Sequence, residues 1–285
     1  VGRGIAAADR ITVGSGVLTL GGSSQIGNTT EVTVAGGATL TLGHSDTIGR
    51  LTLGDGGAAA RLNGSGTLTA TRYALNSGAV DVNAALGGGA LTSAGASTLA
   101  STSAADDVNV TGGTLTLASG GRLSAAPAVD IGNGAMLVLG GAETFGTLQG
   151  GGGVALGAAT LSTGSAGNAI FAGVVTGTGG LRKQGAGSFT LTGTNTYTGL
   201  TTVEDGVLSI GNGGNGGSLA TGAYVIDGTG TLRFEQADNV TVARAISGAG
   251  GIEQAGSGTL TLSGGNKSYA GETRVSAGTL ATAGN

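Results

Sequence analysis

Apolar and polar residues alternate along most of the chain with a period of two, as in Ile11-Thr12-Val13, Val32-Thr33-Val34, Leu40-Thr41-Leu42, Val108-Asn109-Val110 and Leu115-Thr116-Leu117. A period of two sends successive side chains to opposite faces of a strand, so these stretches predict short strands with one buried face. Gly-Gly, Gly-Ser-Gly and Gly-Asn-Gly separate them, residues that accept a positive φ and let the backbone turn without a Cβ clash. No segment sustains a 3.6-residue period, and no helix is predicted.

One phrase recurs: apolar-x-apolar, a glycine turn, then x-Leu-x-Leu. It runs from Ile11 to Leu20, Val32 to Leu42, Val108 to Leu117, Val129 to Leu139 and, shortened, from Val203 to Ile210. Ile11 and Val32 are separated by 21 positions, as are Val108 and Val129, a length suited to one turn of a three-sided coil. A hairpin meander uses similar strands, but it requires no constant period and leaves flat edges. The predicted fold is therefore all-β: a right-handed, single-stranded parallel β-helix, a three-sided solenoid over residues 1–285. At a strand spacing of about 4.8 Å this predicts roughly 13 rungs and a rod of about 60 Å. Both ends, Val1-Gly2-Arg3 and Ala283-Gly284-Asn285, lack a polar cap, so the expectation is a fragment with more protein on each side.

Composition narrows the reading. With 64 glycines, one proline and no G-X-Y register, collagen is excluded. Hydrophobic residues make up 39% and the net charge is −4, which distinguishes the chain from disordered segments. Four Phe and four Tyr leave an aliphatic, narrow core. Lys and Arg total 12 scattered positions with no basic stripe, so no nucleic-acid partner is expected. Zero cysteine suits export unfolded through an oxidising compartment. The start at Val1 has no signal-peptide pattern, and no apolar run reaches the roughly 18 residues of a membrane helix.

A longer duplication occupies the C-terminal half. Gly179-Gly180-Leu181-Arg182-Lys183 continues through Gly185, Gly187, Phe189, Leu191, Gly193, Asn195, Tyr197, Gly199, Val203, Gly206 and Leu208. The pattern returns as Gly250-Gly251-Ile252, then Gly256, Gly258, Leu260, Leu262, Gly264 and Asn266 and, after one inserted residue, Tyr269, Gly271, Val275, Gly278 and Leu280. It resembles the passenger-associated repeat of autotransporters, the type V secretion family. That resemblance divides the chain into irregular rungs over 1–146 and a repeat region over 147–285, with copies at about 179–208 and 250–280. It implies a secreted or cell-surface passenger, anchored at the outer membrane of a Gram-negative bacterium through its own C-terminal β-barrel. It further implies an adhesin or self-association rod, and a stalk that promotes secretion. Two alternatives stay open: the stalk of an enzymatic autotransporter with a catalytic domain upstream, and a β-helical polysaccharide-degrading enzyme.

The repeat residues have structural readings. Gly180, Gly185, Gly187 and Gly193 are expected in turns; Leu181, Phe189, Leu191, Val203 and Leu208 in the core. Asn195 and Asn266 are expected at corners, satisfying backbone groups, and Tyr197 and Tyr269 packed across a turn. The departures Ile252-Glu253-Gln254 and Lys267-Ser268 are expected to touch only the surface and a turn. Elsewhere, His44-Ser45-Asp46 reads as an exposed turn, because adjacent residues cannot form a nucleophilic relay. The pairs Asp106-Asp107 and Glu204-Asp205 show no charged companion at a rung spacing. The run Gly211-Asn212-Gly213-Gly214-Asn215-Gly216-Gly217 lacks both the helix of a phosphate loop and the aspartates of a calcium repeat. Asn28-Thr29-Thr30 and Asn63-Gly64-Ser65 match a glycosylation pattern at the level of chance. Threonines flanking Leu40, Leu68, Leu115 and Leu260 are expected to face water and form ladders suited to self-association; the partners expected of the rod are a second copy, or a glycan or protein on a host surface. No catalytic residue, metal site or cofactor is predicted.

Overall fold

The computed structural model describes residues 8–76, 78–124, 126–164, 166–219 and 222–283. The terminal tripeptide Val1-Gly2-Arg3, and Gly284 and Asn285, lie outside them. Two compact units divide the chain at Gly141 and Ala142.

In the first unit, strands Arg10–Val13, Glu31–Val34, Asp46–Leu53, Thr67–Leu75, Ala90–Ser93, Asp107–Val110 and Ala128–Ile131 pair successively and in parallel. A second face stacks Val17–Leu20, Thr39–Leu42, Ala60–Gly64, Ala79–Val82, Ala96–Leu99, Thr114–Leu117 and Met136–Leu139. The third face is narrower. Short strands Ala85–Leu86, Thr102–Ser103 and Arg122–Leu123 continue it from the first halves of the two long strands. Parallel pairing of segments about one coil apart defines a solenoid and removes the hairpin alternative. The recurring phrase is what stacks: Ile11 registers with Val32, Leu18 with Leu40, Val108 with Val129 and Leu115 with Leu137.

Alternation becomes columns inside the coil. Val32, Leu51, Tyr73, Leu91, Val108 and Val129 form one buried column, and Val34, Leu53, Leu75, Ser93, Val110 and Ile131 the next. Ser93 interrupts an apolar column, and its hydroxyl meets that of Ser97 at 3.2 Å, which satisfies the buried polar group. Tyr73 fills the corner between two faces, accepting from the Ala70 amide at 2.8 Å and donating to the Leu68 carbonyl at 2.9 Å. Burial pushes its phenol up to about 12.

The second unit repeats the architecture. One face stacks Glu143–Phe145, Leu161–Thr163, Leu181–Lys183, Thr201–Val203, Tyr224–Ile226, Ile246–Gly248 and Lys267–Tyr269. The following face includes Ala169–Phe171, Ser188–Leu191, Val207–Ile210, Thr231–Phe234, Gly251–Gln254 and Thr273–Val275. The third begins with Gly153–Ala155 and Val174–Thr176, narrows to a bridge between Thr194 and Ser218, and widens to Val240–Val242, Thr259–Leu262 and Thr279–Thr282. Among the described residues neither unit contains a helix.

Threonine ladders form only in short runs. Thr41 registers with Thr19, Thr69 with Thr47, Thr116 with Thr98 and Thr261 with Thr241. The longest run among the registers described is Thr12, Thr33 and Thr52, after which Ala74 breaks it.

Candidate functional site

The two repeat copies lie on different faces of the second unit. Copy one places Leu181–Lys183 on the face that begins with Glu143–Phe145 and Ser188–Leu191 on the following face; copy two starts on that following face with Gly251–Gln254. Successive coils set Leu181 beside Thr201, Thr201 beside Tyr224 and Tyr224 beside Ile246, and Ile252 lies on the next face round. The step from copy one to copy two is thus three coils and one face. The repeat therefore specifies local turns and inward positions, independent of the face on which it starts.

Its most informative position holds Lys183, which is fully buried. The period of two puts Lys183 on the same inward side as Leu181. Its ammonium donates to the carbonyls of Gln184 at 2.8 Å, Gly185 at 2.6 Å and Asp205 at 3.1 Å, crossing from its own turn to the next coil. Burial lowers the Lys183 pKa, while the charge of Asp205 opposes the shift. In copy two the position holds Gln254, also buried, whose amide donates to Gly256 at 3.0 Å and Gly258 at 2.9 Å. The expectation that Ile252-Glu253-Gln254 touches only the surface is thus corrected: Ile252, Glu253 and Gln254 are all buried. The reason is that a turn leaves inward carbonyls without partners, and a long donor at this position supplies them.

Asn195 holds the next corner. Its Oδ1 accepts from the Val175 amide at 2.9 Å, and its Nδ2 donates to Gly193 at 3.2 Å and Ser218 at 2.9 Å, tying three coils together. Asn266 is exposed instead, and its backbone carbonyl accepts from Ile246 at 2.8 Å. The inserted residue moves Lys267 into the corner, where its ammonium donates to Ser263 at 2.9 Å and also to Gly264 and Gly265. Tyr197 is buried and shares a hydrogen bond with the Thr201 hydroxyl at 2.8 Å; Tyr269 makes the same bond to Thr273 at 2.7 Å on a more open surface.

Leu181, Phe189, Leu191, Val203, Leu208, Leu260 and Leu262 are buried, whereas Leu280 is half-buried and Val275 is 51% exposed. Gly185, Gly206, Gly264 and Gly278 have positive φ. Gly180, Gly193, Gly199, Gly251, Gly256, Gly258 and Gly271 sit against the backbone of a neighbouring coil, while the Gly187 carbonyl accepts from Val207 at 3.3 Å. At Gly199, for example, a Cβ would enter the Gly179 carbonyl. These bare stretches floor shallow grooves. Gly179, Gly180 and Gly199 floor one of about 450 Å³ beside Arg182 and Glu204, and Gly250, Gly251 and Gly271 its counterpart of about 370 Å³ beside Arg233, Glu253 and Arg274.

The charges along these grooves pair across coils. Arg182 donates to Glu204 at 2.6 Å and Gln184 to the same carboxylate at 3.0 Å, so Glu204 has a basic companion one coil away, correcting the expectation that it had none. Arg182, then Gln184, hold the Glu204 carboxyl below its ordinary range. The neighbouring Asp205 is lowered by Thr229 at 2.5 Å and the Gly206 amide at 2.8 Å. In copy two, Glu253 faces Ser276 at 2.6 Å and Arg233 at 2.7 Å. Burial would raise Glu253, but Ser276 and the arginines outweigh it and lower its pKa.

The remaining candidates are dispersed. His44 is exposed and Ser45 accepts from the Thr67 amide at 3.0 Å, but Asp46 is buried, not in an exposed turn: it accepts from the amides of Gln25 at 3.0 Å and Thr47 at 2.8 Å. Its carboxylate caps backbone donors where the long strand begins. Asp106 and Asp107 are exposed. Gly211, Gly213, Gly216 and Gly217 have positive φ, and Gln236 donates to Gly217 at 2.6 Å, which ties the glycine run to the next coil. Asn63 accepts from Asn83 at 2.8 Å, and Thr30 donates to Ala8 at 2.6 Å. Sequence reasoning missed the capping roles of Lys183, Gln254 and Lys267; for Lys183, its place in the inward alternation was the available signal.

A family model described as passenger-associated-transport-repeat matches residues 181–210 and 252–281. The chain is 35% identical over 137 residues to the adhesin BmaC autotransporter of Brucella suis biovar 1 (strain 1330), a match spanning 36% of this chain and 4% of that protein. No solved structure matches the chain.

Proposed function

We propose that this chain is an autotransporter passenger carrying two passenger-associated transport repeats, anchored at the outer membrane of a Gram-negative bacterium, with an adhesive and secretion-supporting role. The observation that carries the reading is the use made of the repeat's polar groups. Lys183, Gln254, Asn195 and Lys267 direct their donors to backbone carbonyls, which suits a scaffold rather than a reaction. The similarity to a protein named an adhesin supports contact with a surface as the purpose of that scaffold. The role is non-catalytic: Glu204, Asp205 and Glu253 are engaged with cross-coil partners.

Within this reading, region 147–285 supports export and folding, delivered through the protein's own C-terminal barrel, and region 1–146 presents outward columns to self, glycan or protein partners. Beads coated with the chain test adhesion. They are expected to clump, or to be retained on cell surfaces, above beads coated with an unrelated protein of equal charge. Equal behaviour in both assays overturns the proposal.

A further inference from the structure

Outward residues of a parallel solenoid stack at the strand spacing of about 4.8 Å, so like charges on successive coils are held side by side. In the first unit one outward column runs Arg10, Glu31, Arg50, Arg72, Ala90, Asp107. Arg10 and Glu31 pair at 3.4 Å. Arg50 and Arg72 follow in register, both exposed, and among the described residues neither side chain has an ion pair or hydrogen bond. Asp107 lies two strands beyond Arg72, about 10 Å away. Adjacent like charges disfavour folding, and guanidinium cannot relieve the repulsion by losing its proton. The fold does not demand arginine there, since the same column accepts Ala90 and Ala128.

Round the corner from this pair, on the first halves of the same two strands, lies a trough of about 430 Å³ lined by Asn28, Thr47, Ile48, Thr69, Ala70 and Thr71, with Gly88 and Gly89 leaving it open. Thr47 and Thr69 are register partners, and both are exposed with Asn28. The trough thus sets exposed hydroxyl and amide groups on an apolar floor of Ile48 and Ala70, and Thr71 at its edge precedes Arg72 in the strand. Guanidinium binds carboxylate or sulfate through paired hydrogen bonds.

We infer that Arg50, Arg72 and this trough bind an acidic polysaccharide laid across successive coils, its anionic groups on the arginines and its sugar hydroxyls on Thr47, Thr69 and Asn28. The inference deepens the adhesive reading and rests on it. Uronate and sulfate share the chemistry that the arginines recognise. Nucleic acid fits less well, because the trough has no aromatic ring for a base to stack on.

The test immobilises the chain and measures binding of polygalacturonate, chondroitin sulfate, neutral dextran and single-stranded DNA. Binding of either acidic glycan, but not of dextran, is expected. The double variant Arg50→Gln/Arg72→Gln is expected to lose at least about tenfold in affinity, while Arg182→Gln in the second unit leaves that affinity unchanged. A thermal midpoint of the double variant at or above that of the parent shows that lost binding is not lost fold. Undiminished binding by the double variant, no acidic glycan bound, or DNA bound more tightly than both glycans overturns the inference. If the parent chain adheres to cells and the double variant adheres equally, the glycan site fails while the adhesive reading stands; a parent chain that adheres to nothing ends that reading itself.

Discussion

Lys183 and Gln254 occupy the same position of the two repeat copies on different faces of the second unit, and each donates to the carbonyl of the glycine two positions later, Gly185 and Gly256. A cation and a neutral amide thus perform one task. What the position requires is reach and donors, with charge secondary.

This relationship predicts that Lys183→Gln is tolerated and Lys183→Met is not. Methionine fills the space but leaves inward carbonyls unpaired, at a cost of about 1–3 kcal/mol. Urea midpoints of the two variants, together with exchange protection of the Glu204 amide, which bonds the Lys183 carbonyl at 2.9 Å, check the ordering. Equal losses for both would remove the capping role.

Asn195→Ala is expected to cost a similar amount, about 1–3 kcal/mol, because the Val175 amide loses its acceptor and the Ser218 carbonyl a donor. Asn266→Ala, at an exposed position, should change stability by less than about 0.5 kcal/mol. Thermal unfolding of both variants distinguishes the corner cap from its exposed counterpart.

Gly199→Ala and Gly214→Ala separate two kinds of glycine. At Gly199 the added methyl enters the backbone of Gly179, which cannot swing aside, so a loss of about 1–3 kcal/mol is expected. At Gly214 the nearest atom is the Asn212 side-chain oxygen at 3.8 Å, and the change should stay within about 0.5 kcal/mol. Comparable destabilisation of both would contradict the close approach of the coils.

The carboxylates predict the response to acid. Glu204 and Glu253 have folded pKa values below their ordinary 4.5, and Asp205 below 3.8. Their contribution is therefore complete above those ordinary values and is lost as pH falls through the lower folded values. Arg182→Gln removes the largest cause at Glu204, so parent and variant should differ most near neutral pH and converge in acid. Urea midpoints from pH 7 to pH 2 measure this, and the pair's exposure keeps the difference small. A gap that widens on acidification reverses the sign and refutes the assignment.

Much of the fold is legible in the sequence. The phrase around Ile11 and its return at Val32 predicted the register that the strands adopt, because alternation and a constant spacing leave a parallel coil few other ways to bury Val and Leu. The candidate chemistry was less readable. Lys183, Asp46 and Gln254 are polar residues that sequence reasoning consigns to the surface, yet each is buried where backbone groups need partners. Which groups need them depends on turns and neighbouring coils.

The sequence by itself therefore determined the strand period, the inward side of each strand, the glycine turns and the duplicated repeat, all of which are local properties of the backbone and its side chains. Only the tertiary structure decided that the second copy begins one face further round, that Lys267 rather than Asn266 caps its corner, and that Arg50 stands beside Arg72, neither in an ion pair among the described residues. Those facts depend on the length of each coil. A change of one residue between two positions leaves their chemistry intact but alters which residue of the next coil each one meets.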